Sequence, residues 1–316
     1  MRIVIIGGTG HIGTYLVPSL VKAGHEVICV SRQLRKPYHE NILWDRVKME
    51  VLDRDALEEN GLFGKAILAL SPDIVIDMIC FTLQSAKQII ESLRGKVRHF
   101  LHCGTMWVHG HSVEVPTSED QSCNPFGAYG MQKAAIEKYL LEEYRRSDFP
   151  VTILHPGHIV GPGWTPLNPA GNFNPAIYEI LKKGGELLLP NFGMETVHHV
   201  HAADVAQAFR KAIKHRKKSI GESFHIVSPK AITLRGYAES IAKWYGQTAN
   251  LKFVSWEDWK KTVSDTDAQM TWDHISHSPN GSIRKAKKLI KYAPEYTSLQ
   301  AIQEALQFMS HQEVLR

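Results

Sequence analysis

The chain has 316 residues, with 37 Lys or Arg against 32 Asp or Glu, which gives a formal net charge of +5. Hydrophobic residues make up 43% of the sequence and charged residues 22%. This balance is typical of a globular protein and excludes disorder or low complexity as the main state. One extended domain, or one large and one small domain, is expected at this length, with a core that needs no disulfide or metal staple.

Several partners and locations are disfavoured by the same sequence. No run of about 18 uninterrupted apolar residues predicts a transmembrane helix, and the N-terminus leads into a strand-like segment rather than a signal peptide. The four cysteines have no CxxC spacing, which is typical of reduced thiols. The basic runs Lys211–Lys218 and Arg284–Lys291 favour solvated helix faces over a nucleic-acid or membrane patch. We predict a cytoplasmic protein with a small-molecule substrate and no nucleic-acid or membrane partner.

The first half of the chain alternates between short apolar runs and helical patterns. Runs rich in Val and Ile without polar alternation are typical of parallel strands that are covered on both faces. The predicted strands are Ile3–Ile6, Val27–Val30, Val47–Val51, Ile74–Ile79, His99–His102 and Val151–Leu154. Strand–helix alternation predicts an α/β fold with a doubly wound parallel sheet.

The second half begins with Gly161–Asn174, a Gly-, Pro- and Asn-rich segment that predicts a long functional loop. We predict a first domain over 1–165 and a smaller mixed α/β lobe over 166–316, with segments near 196–227 returning partly to the first domain. The predicted helices of this half are Pro175–Lys183, Ala203–Lys214, Leu234–Tyr245, Trp256–Val263, Ser282–Ile290 and Leu299–Ser310. Its predicted strands are Glu186–Leu189, Thr196–His201 and Ser223–Val227.

The segment GGTGHIG places Gly7, Gly10 and Gly13 after the first predicted strand and at the start of the first helix. In such a unit one glycine makes the tight turn, another lets the backbone approach a pyrophosphate, and the third allows close strand–helix packing. The helix N-terminus supplies N–H groups and partial positive charge for phosphate. This context favours a dinucleotide site over a turn that needs glycine for conformation alone.

The end of the second strand bears on the choice between NAD and NADP. NAD-binding proteins place an acidic residue there for the ribose 2′-hydroxyl, whereas this chain has Ser31 and Arg32, followed by Arg35 and Lys36. A guanidinium offers paired donors to a 2′-phosphate. The pattern favours NADP(H), with NAD(H) and an ordinary basic surface loop as the alternatives.

A YxxxK motif places Tyr129 and Lys133 at positions i and i+4 of a predicted helix, so both side chains share one face. A free phenol titrates near ~10, and a nearby ammonium is expected to lower that pKa. The pair predicts a general acid/base for a carbinol–carbonyl interconversion, against the alternative of two surface side chains. Thr105 follows the strand at 99–102, where it is placed to bind a substrate oxygen.

These linked motifs resemble the extended short-chain dehydrogenase/reductases of the NAD-dependent epimerase/dehydratase family. GGTGHIG matches the family's N-terminal fingerprint, GTMWVHG stands where members often read SSxxVYG, and YGMQKAAIE is similar to YGxSKxxxE. HPGHIVGPG, at His155–Gly163, occupies the RPxNVYGP segment, and HHVHAADVAQAF, at His198–Phe209, resembles RDFVHVDDVA. The resemblance covers essentially the whole chain and implies a Rossmann-type fold with substrate between the sheet edge and the C-terminal lobe.

The resemblance implies that Tyr129 is the acid/base, that Lys133 holds the nicotinamide ribose and lowers the Tyr129 pKa, and that Thr105 orients the substrate oxygen. The implied cofactor-binding residues are Gly7, Gly10, His11, Ile12, Gly13, Ser31, Arg32, Glu50, Val51, Cys80, Lys133 and Pro156. The implied substrate contacts are Phe81, Met106, Trp107, His158 and His199. Many family members dimerise through paired helices, so a homodimer is a family expectation.

Departures from the family pattern concern the substrate. Val197 aligns with the Arg that nucleotide-sugar enzymes use on a diphosphate, and a valine cannot neutralise phosphate. We therefore predict a smaller polyol, sugar, sugar acid or other hydroxy/keto compound. Alternative sources of the missing charge are Arg235, Arg284 and Lys285.

Histidines are frequent around the expected cleft, and the chain has 17. No Asp, Glu or Cys partner recurs at ligand spacing, so we predict polar lining and hydrogen-bonded core histidines, and no metal site. Among them His158 is the one expected to aid catalysis.

The reaction stays open between three hypotheses. A net NADP-dependent dehydrogenase or reductase exchanges its cofactor at each turnover, whereas an epimerase or dehydratase, such as one acting on a nucleotide sugar, retains NAD. The third is a Rossmann protein that binds a nucleotide or RNA without catalysis, and the set Thr105, Tyr129 and Lys133 argues against it.

Overall fold

The computed structural model describes residues 1–32 and 37–311, so Arg35 and Lys36 lie outside the described residues. The strands are β1 Arg2–Ile6, β2 Glu26–Ser31, β3 Lys48–Val51, β4 Ile74–Asp77, β5 His99–Cys103, β6 Val151–Pro156, β7 His158–Val160, β8 Glu186–Pro190, β9 Thr196–Val197, β10 His199–His201, β11 Glu222–Ile226, β12 Ile232–Thr233 and β13 Asn250–Val254.

The helices are α1 His11–Lys22, α2 Arg54–Glu59, α3 Phe63–Ala69, α4 Leu83–Leu93, α5 Gly127–Ser147, α6 Ala176–Lys182, α7 Ala202–Lys214, α8 Arg216–Ser219, α9 Leu234–Trp244, α10 Trp256–Trp259, α11 Asp265–His277, α12 Arg284–Ile290 and α13 Ser298–His311. Short 3₁₀ segments cover Ile42–Arg46, Met106–His109 and Lys260–Thr262. No helix in the described part of the chain is long and apolar enough to cross a membrane.

Within the described residues, seven strands form one parallel sheet in the order β11–β6–β5–β4–β1–β2–β3. The chain builds outward from β1 through β2 to β3, then returns to β4 on the other side of β1. The carboxyl ends of β1 and β4 therefore flank the point where the strand order reverses, which is where open α/β sheets bind ligands. This confirms the predicted doubly wound α/β fold.

The apolar strands are buried on both faces of this sheet. Along β1, Ile3 and Ile5 join a hydrophobic cluster with α1, α7 and α12, whereas Val4 and Ile6 join another with α3, α4 and α5. Successive side chains point to opposite faces of a strand, so a strand with helices on both sides needs apolar residues at every position. This explains the absence of polar alternation in the sequence.

A third hydrophobic cluster, formed by residues between Val160 and Met309, builds the smaller lobe around α6, α9, α13 and the parallel pair β8–β13. The boundary near residue 165 stays a prediction. Within the segment 196–227, β11 joins the seven-stranded sheet, and residues of β10 and α7 pack in the first hydrophobic cluster. The helix α12 also packs with the first domain's cluster, although the prediction placed it in the lobe.

Two predicted elements differ from the structure. The strand predicted at Thr196–His201 is divided, because β9 pairs antiparallel with β12 while β10 pairs parallel with β7. The helix predicted at Trp256–Val263 ends at Trp259 and continues as a 3₁₀ turn. The helix α11 and the strand β13 were not predicted.

Candidate active site

The glycine turn joins β1 to α1. Gly7 has φ +82°, in the region that favours glycine, and its N–H donates to the Val30 carbonyl at 2.9 Å. A Cβ on Gly13 would lie 1.8 Å from the Gly8 carbonyl oxygen, so this residue must be glycine for α1 to pack against the turn. Gly10 precedes α1 and has no side chain to cap the first N–H groups of the helix. Free N–H groups beside a glycine-rich turn fit the pyrophosphate of a dinucleotide.

A cleft of about 480 Å³ runs from this turn to the wall of the lobe. The predicted site residues that line it are Gly7, Gly10, His11, Ile12, Phe81, Thr105, Met106, Trp107, Tyr129, Lys133, Pro156 and His158. The fold thus brings together the two sequence motifs, which are more than 100 residues apart.

The remaining predicted cofactor residues lie near the cleft without lining it. Ser31 at the end of β2 is paired with Val51 at the end of β3, with Glu50 one position earlier and the exposed Arg32 one position later. These four residues share the carboxyl edge of the sheet with the glycine turn. Gly13 packs against the Gly8 backbone of the turn, and the carbonyl oxygen of Cys80 accepts a hydrogen bond from Lys133.

His199 does not contact the cleft, which contradicts its predicted role in substrate binding. It is 0% exposed, and its Nε2 lies 3.1 Å from the Leu167 carbonyl oxygen. The ring packs edge-on against Tyr237 in the core of the lobe. The neighbouring His198 lines the cleft instead, since successive residues of this segment face opposite sides.

Sequence reasoning missed several aromatic residues of the cleft. Trp164 and Phe173 come from the loop that was predicted to be functional, and Trp164 stacks on His11 with ring centroids 5.1 Å apart. Tyr38 follows the second strand, and His274 lies on the unpredicted helix α11. The Gly/Pro-rich loop was the available signal for the first two.

Lys133 is buried at the centre of the site, with 2% of its surface exposed. Its ammonium donates to the carbonyl oxygens of Cys80 and Cys103, both at 2.8 Å, and lies 4.9 Å from the Phe81 ring centroid. Cys103 ends β5 and Cys80 follows β4, so this one side chain links α5 to both strand ends. Burial lowers the pKa of Lys133.

Tyr129 lies one helical turn before Lys133 and lines the cleft together with Thr105. The residue is 41% exposed, but burial around the hydroxyl raises its pKa to about 12. The prediction that Lys133 lowers this pKa is wrong for this structure, because the ammonium is directed at two carbonyls and lies 5.9 Å from the Tyr129 ring centroid. A phenol with such a pKa is protonated at neutral pH and suits a proton donor.

Neutral histidines form part of the wall. His158 lies with ring centroids 5.3 Å from Phe173, 5.3 Å from His199 and 5.5 Å from His274. Burial, and then the charges of the neighbouring histidines, hold the pKa of His158 well below its usual value. No group of three or more His, Cys, Asp or Glu among the described residues could hold a metal ion.

The family model of the NAD-dependent epimerase/dehydratase family matches residues 3–226. The chain belongs to this family. It is an enzyme of the extended short-chain dehydrogenase type, as the sequence motifs predicted.

Two curated relatives match nearly the whole chain. The chain is 24% identical to the chloroplast stem-loop binding protein of 41 kDa b from Arabidopsis thaliana, over 96% of this chain and 78% of the relative. It is also 24% identical to a UDP-N-acetyl-α-D-glucosaminuronate decarboxylase from Bacillus cytotoxicus, over 97% of each chain.

Solved structures share the fold at lower identity. A dTDP-glucose 4,6-dehydratase from Bacillus anthracis in complex with NAD superposes with a TM-score of 0.76, 17% identity and coverage of 99% of this chain and 98% of the other. A UDP-glucose 4-epimerase from Thermotoga maritima superposes with a TM-score of 0.74 and 19% identity. The match covers 99% of this chain and 100% of the epimerase.

The hydrogen bonds of Lys133 predict that its replacement destabilises the fold. Lys133→Met should lower the free energy of unfolding of the nucleotide-free protein by about 2–4 kcal/mol, because two buried carbonyl oxygens lose their donor. Urea denaturation measures this value. The matched control is Lys138→Met, an exposed lysine of the same helix, for which we expect a change within about 0.5 kcal/mol. Equal changes in the two variants would contradict the assigned contacts.

Proposed function

We propose that the enzyme transfers a hydride between a nicotinamide dinucleotide and a carbinol or carbonyl carbon of a small substrate. The observation that carries the proposal is that Thr105, Tyr129 and Lys133 line one cleft together with the glycine turn. A protein that only binds a nucleotide has no need of this acid/base set.

The dinucleotide, when bound, donates or accepts the hydride. The turn at Gly7, Gly10 and Gly13 would hold its pyrophosphate against the first N–H groups of α1. An ammonium has three N–H donors, and the two carbonyl contacts of Lys133 leave the third for a ribose hydroxyl. The same contacts fix the direction in which that third donor can point.

With its pKa raised to about 12 by burial, the Tyr129 phenol is in the form that donates a proton during carbonyl reduction. The substrate carbonyl oxygen would accept hydrogen bonds from the phenol of Tyr129 and the hydroxyl of Thr105. If a bound nicotinamide supplied the hydride to the carbonyl carbon, the phenol of Tyr129 would give its proton to the oxygen, and solvent would then reprotonate the phenolate. This balance describes a net reductase, with an epimerase or dehydratase that retains NAD as the alternative.

The charge of the cleft supports a substrate without a diphosphate. Among the described residues that line it, Lys133 is the one cation and none is an acid, and Val197 is part of the wall. None of the alternative cations Arg235, Arg284 and Lys285 lines the cleft. Arg235 pairs with Glu239 and Lys285 pairs with Glu222, both at 2.8 Å. We therefore propose a small, uncharged sugar-like or other hydroxy/keto substrate, whose apolar face can pack on the aromatic wall.

The position of Arg32 supports NADP(H) over NAD(H). Arg32 is exposed directly after β2, and the carboxylate of Glu50, which is paired with Val30 across β2 and β3, lies 3.4 Å from the Lys48 ammonium. A 2′-phosphate in this place would meet a guanidinium rather than a free carboxylate. A cytoplasmic location, a homodimer and the boundary near residue 165 remain predictions.

Replacing Tyr129 tests the reaction. Tyr129→Phe should reduce turnover of a carbonyl substrate by about 10²–10⁴-fold, since the general acid is lost, while NADPH binding is retained. NADPH oxidation over a panel of small carbonyl compounds measures turnover, and fluorescence titration measures binding. Tyr139→Phe, on the same helix, is the matched control and should keep wild-type turnover. Undiminished turnover in Tyr129→Phe would overturn the proposed role.

Replacing Arg32 tests the cofactor. Arg32→Ala should weaken NADPH binding by about tenfold or more, the loss expected for a charged hydrogen bond, and should leave NADH binding nearly unchanged. Fluorescence titration gives both dissociation constants. Arg98→Ala removes an exposed arginine that lies 3.4 Å from Asp73, before the amino ends of β4 and β5, and should change neither. An equal effect of Arg32→Ala on both nucleotides would refute the NADP assignment.

A second candidate function is RNA binding at a basic face formed by α7, α8 and α12. The two basic runs of the sequence come together there: after burial, the charges of Lys214, Lys211, Lys218 and Lys291 lower the pKa of His215. Clustered, exposed cations attract a phosphate backbone. The stem-loop binding relative from Arabidopsis supports this candidate, which opposes the sequence prediction of no nucleic-acid partner.

A charge-reversal variant tests whether the basic face binds RNA. If the face binds RNA, changing Lys214, Lys218 and Lys291 to Glu should abolish binding of an RNA stem-loop, and wild-type affinity should fall steeply between 50 and 200 mM salt. Filter binding measures both effects. A control with the same change of charge replaces the exposed Lys65, Lys87 and Lys96. Equal RNA binding by both triple variants, or none by the wild type, would reject the candidate.

A further inference from the structure

A third residue shares the catalytic face of α5. Tyr129, Lys133 and Glu137 are spaced four residues apart, which places them on one side of the helix. Glu137 is 9% exposed, and its Oε1 lies 3.0 Å from Nε2 of His155 on β6. The mechanism proposed above uses the first two residues and gives no task to this buried carboxylate.

The other nitrogen of His155 holds the backbone of Thr105. The Thr105 N–H donates to His155 Nδ1 at 3.0 Å, and His155 is 1% exposed. A ring nitrogen that accepts a hydrogen bond carries no proton. The ring proton is therefore on Nε2, from which it is donated to the Glu137 carboxylate. The contacts form one directed chain, from Thr105 through His155 to Glu137.

The backbone beside Thr105 is shaped for this ring. A Cβ on Gly104 would lie 2.4 Å from His155 Nδ1, so a side chain at this position would displace the imidazole. Thr105 itself precedes the 3₁₀ segment Met106–His109, and its Oγ1 accepts from the Trp107 N–H at 3.3 Å. Two hydrogen bonds thus hold the Thr105 hydroxyl in place: one from the Thr105 N–H to His155, and one from the Trp107 N–H to the hydroxyl oxygen itself.

Other ionisable groups around His155 do not replace Glu137 as its charged partner. His102 on β5, His109 and His225 on β11 surround it, and burial lowers the pKa of each, so they are neutral. Glu119 accepts from the His225 backbone N–H at 2.9 Å, and burial raises its pKa. By contrast, His155 holds the pKa of the Glu137 carboxyl below its usual value, against the effect of burial.

We propose that Glu137 and His155 are positioning residues, which set the place of the Thr105 hydroxyl by fixing the tautomer and orientation of one imidazole. A carboxylate that orients a histidine through its N–H is a known way to fix which nitrogen accepts. This proposal rests on the proposed function, since it assigns Thr105 its catalytic contact. The essential bond is the one from the Thr105 N–H to Nδ1.

Two amide substitutions distinguish the roles of the two ring nitrogens of His155. The oxygen of Asn can replace Nδ1 as acceptor for Thr105, whereas the amide of Gln reaches the place of Nε2 and leaves Thr105 without an acceptor. We expect His155→Gln to lower kcat by about tenfold, the equivalent of one hydrogen bond, with KM and NADPH affinity nearly unchanged. His155→Asn should retain kcat within about threefold. Equal kcat in the two variants would overturn the proposal.

A double-mutant cycle tests whether the effect passes through Thr105. In a Thr105→Ala background, whose residual turnover is the reference, His155→Gln should cost little further turnover, because the group that it positions is gone. Additive losses would indicate a general structural role and would contradict the proposal.

Nitrogen NMR of His155 in the wild-type protein gives a readout that does not depend on activity or on the folding of a variant. The proposal predicts a proton on Nε2 and none on Nδ1, and a Nδ1–H tautomer would refute it. A confirmed tautomer in a protein without hydride transfer would refute the proposed function alone.

Discussion

The buried ammonium of Lys133 is the interaction on which the rest of the site depends. Only 2% of the Lys133 surface is exposed, and its charge is compensated by two backbone carbonyls at 2.8 Å. Those carbonyls belong to the carboxyl ends of two adjacent strands, so the contact fixes the long helix α5 against the sheet. Tyr129, one turn earlier, then faces the cleft, and Glu137, one turn later, faces β6.

The same helix face therefore divides into three tasks along its length. The first turn presents a protonated phenol to the cleft, the second holds the strand ends, and the third holds the imidazole behind Thr105. The lobe closes the cleft with aromatic rings and neutral histidines, and the described lining has no cation apart from Lys133. The proposal of a substrate without a diphosphate rests on this lining.

Much of this architecture was predictable from local sequence. The strand β1 is apolar at every position from Ile3 to Ile6 because it is covered on both faces, and Gly13 is required by a close backbone approach. The spacing of Tyr129 and Lys133 also predicted their common face. At these positions the residue type and its neighbours in sequence determine the contacts that form in the structure.

The errors came from features set by distant parts of the chain. The side on which His199 lies depends on the change of strand partner at His198, which no local pattern shows. The pKa of Tyr129 depends on where the Lys133 ammonium points, and that direction is set by the ends of β4 and β5. The helix α11 has few apolar residues, and its contribution of His274 to the cleft follows from packing on the lobe.

The central claim is that this cleft holds a nicotinamide dinucleotide beside Tyr129. Its most direct test is to denature the purified protein, identify any released nucleotide by mass spectrometry, and titrate the emptied protein with NADPH and NADH by calorimetry. The account predicts one dinucleotide per chain, either released on denaturation or bound in the titration. A protein that releases no dinucleotide and binds neither nucleotide would contradict it.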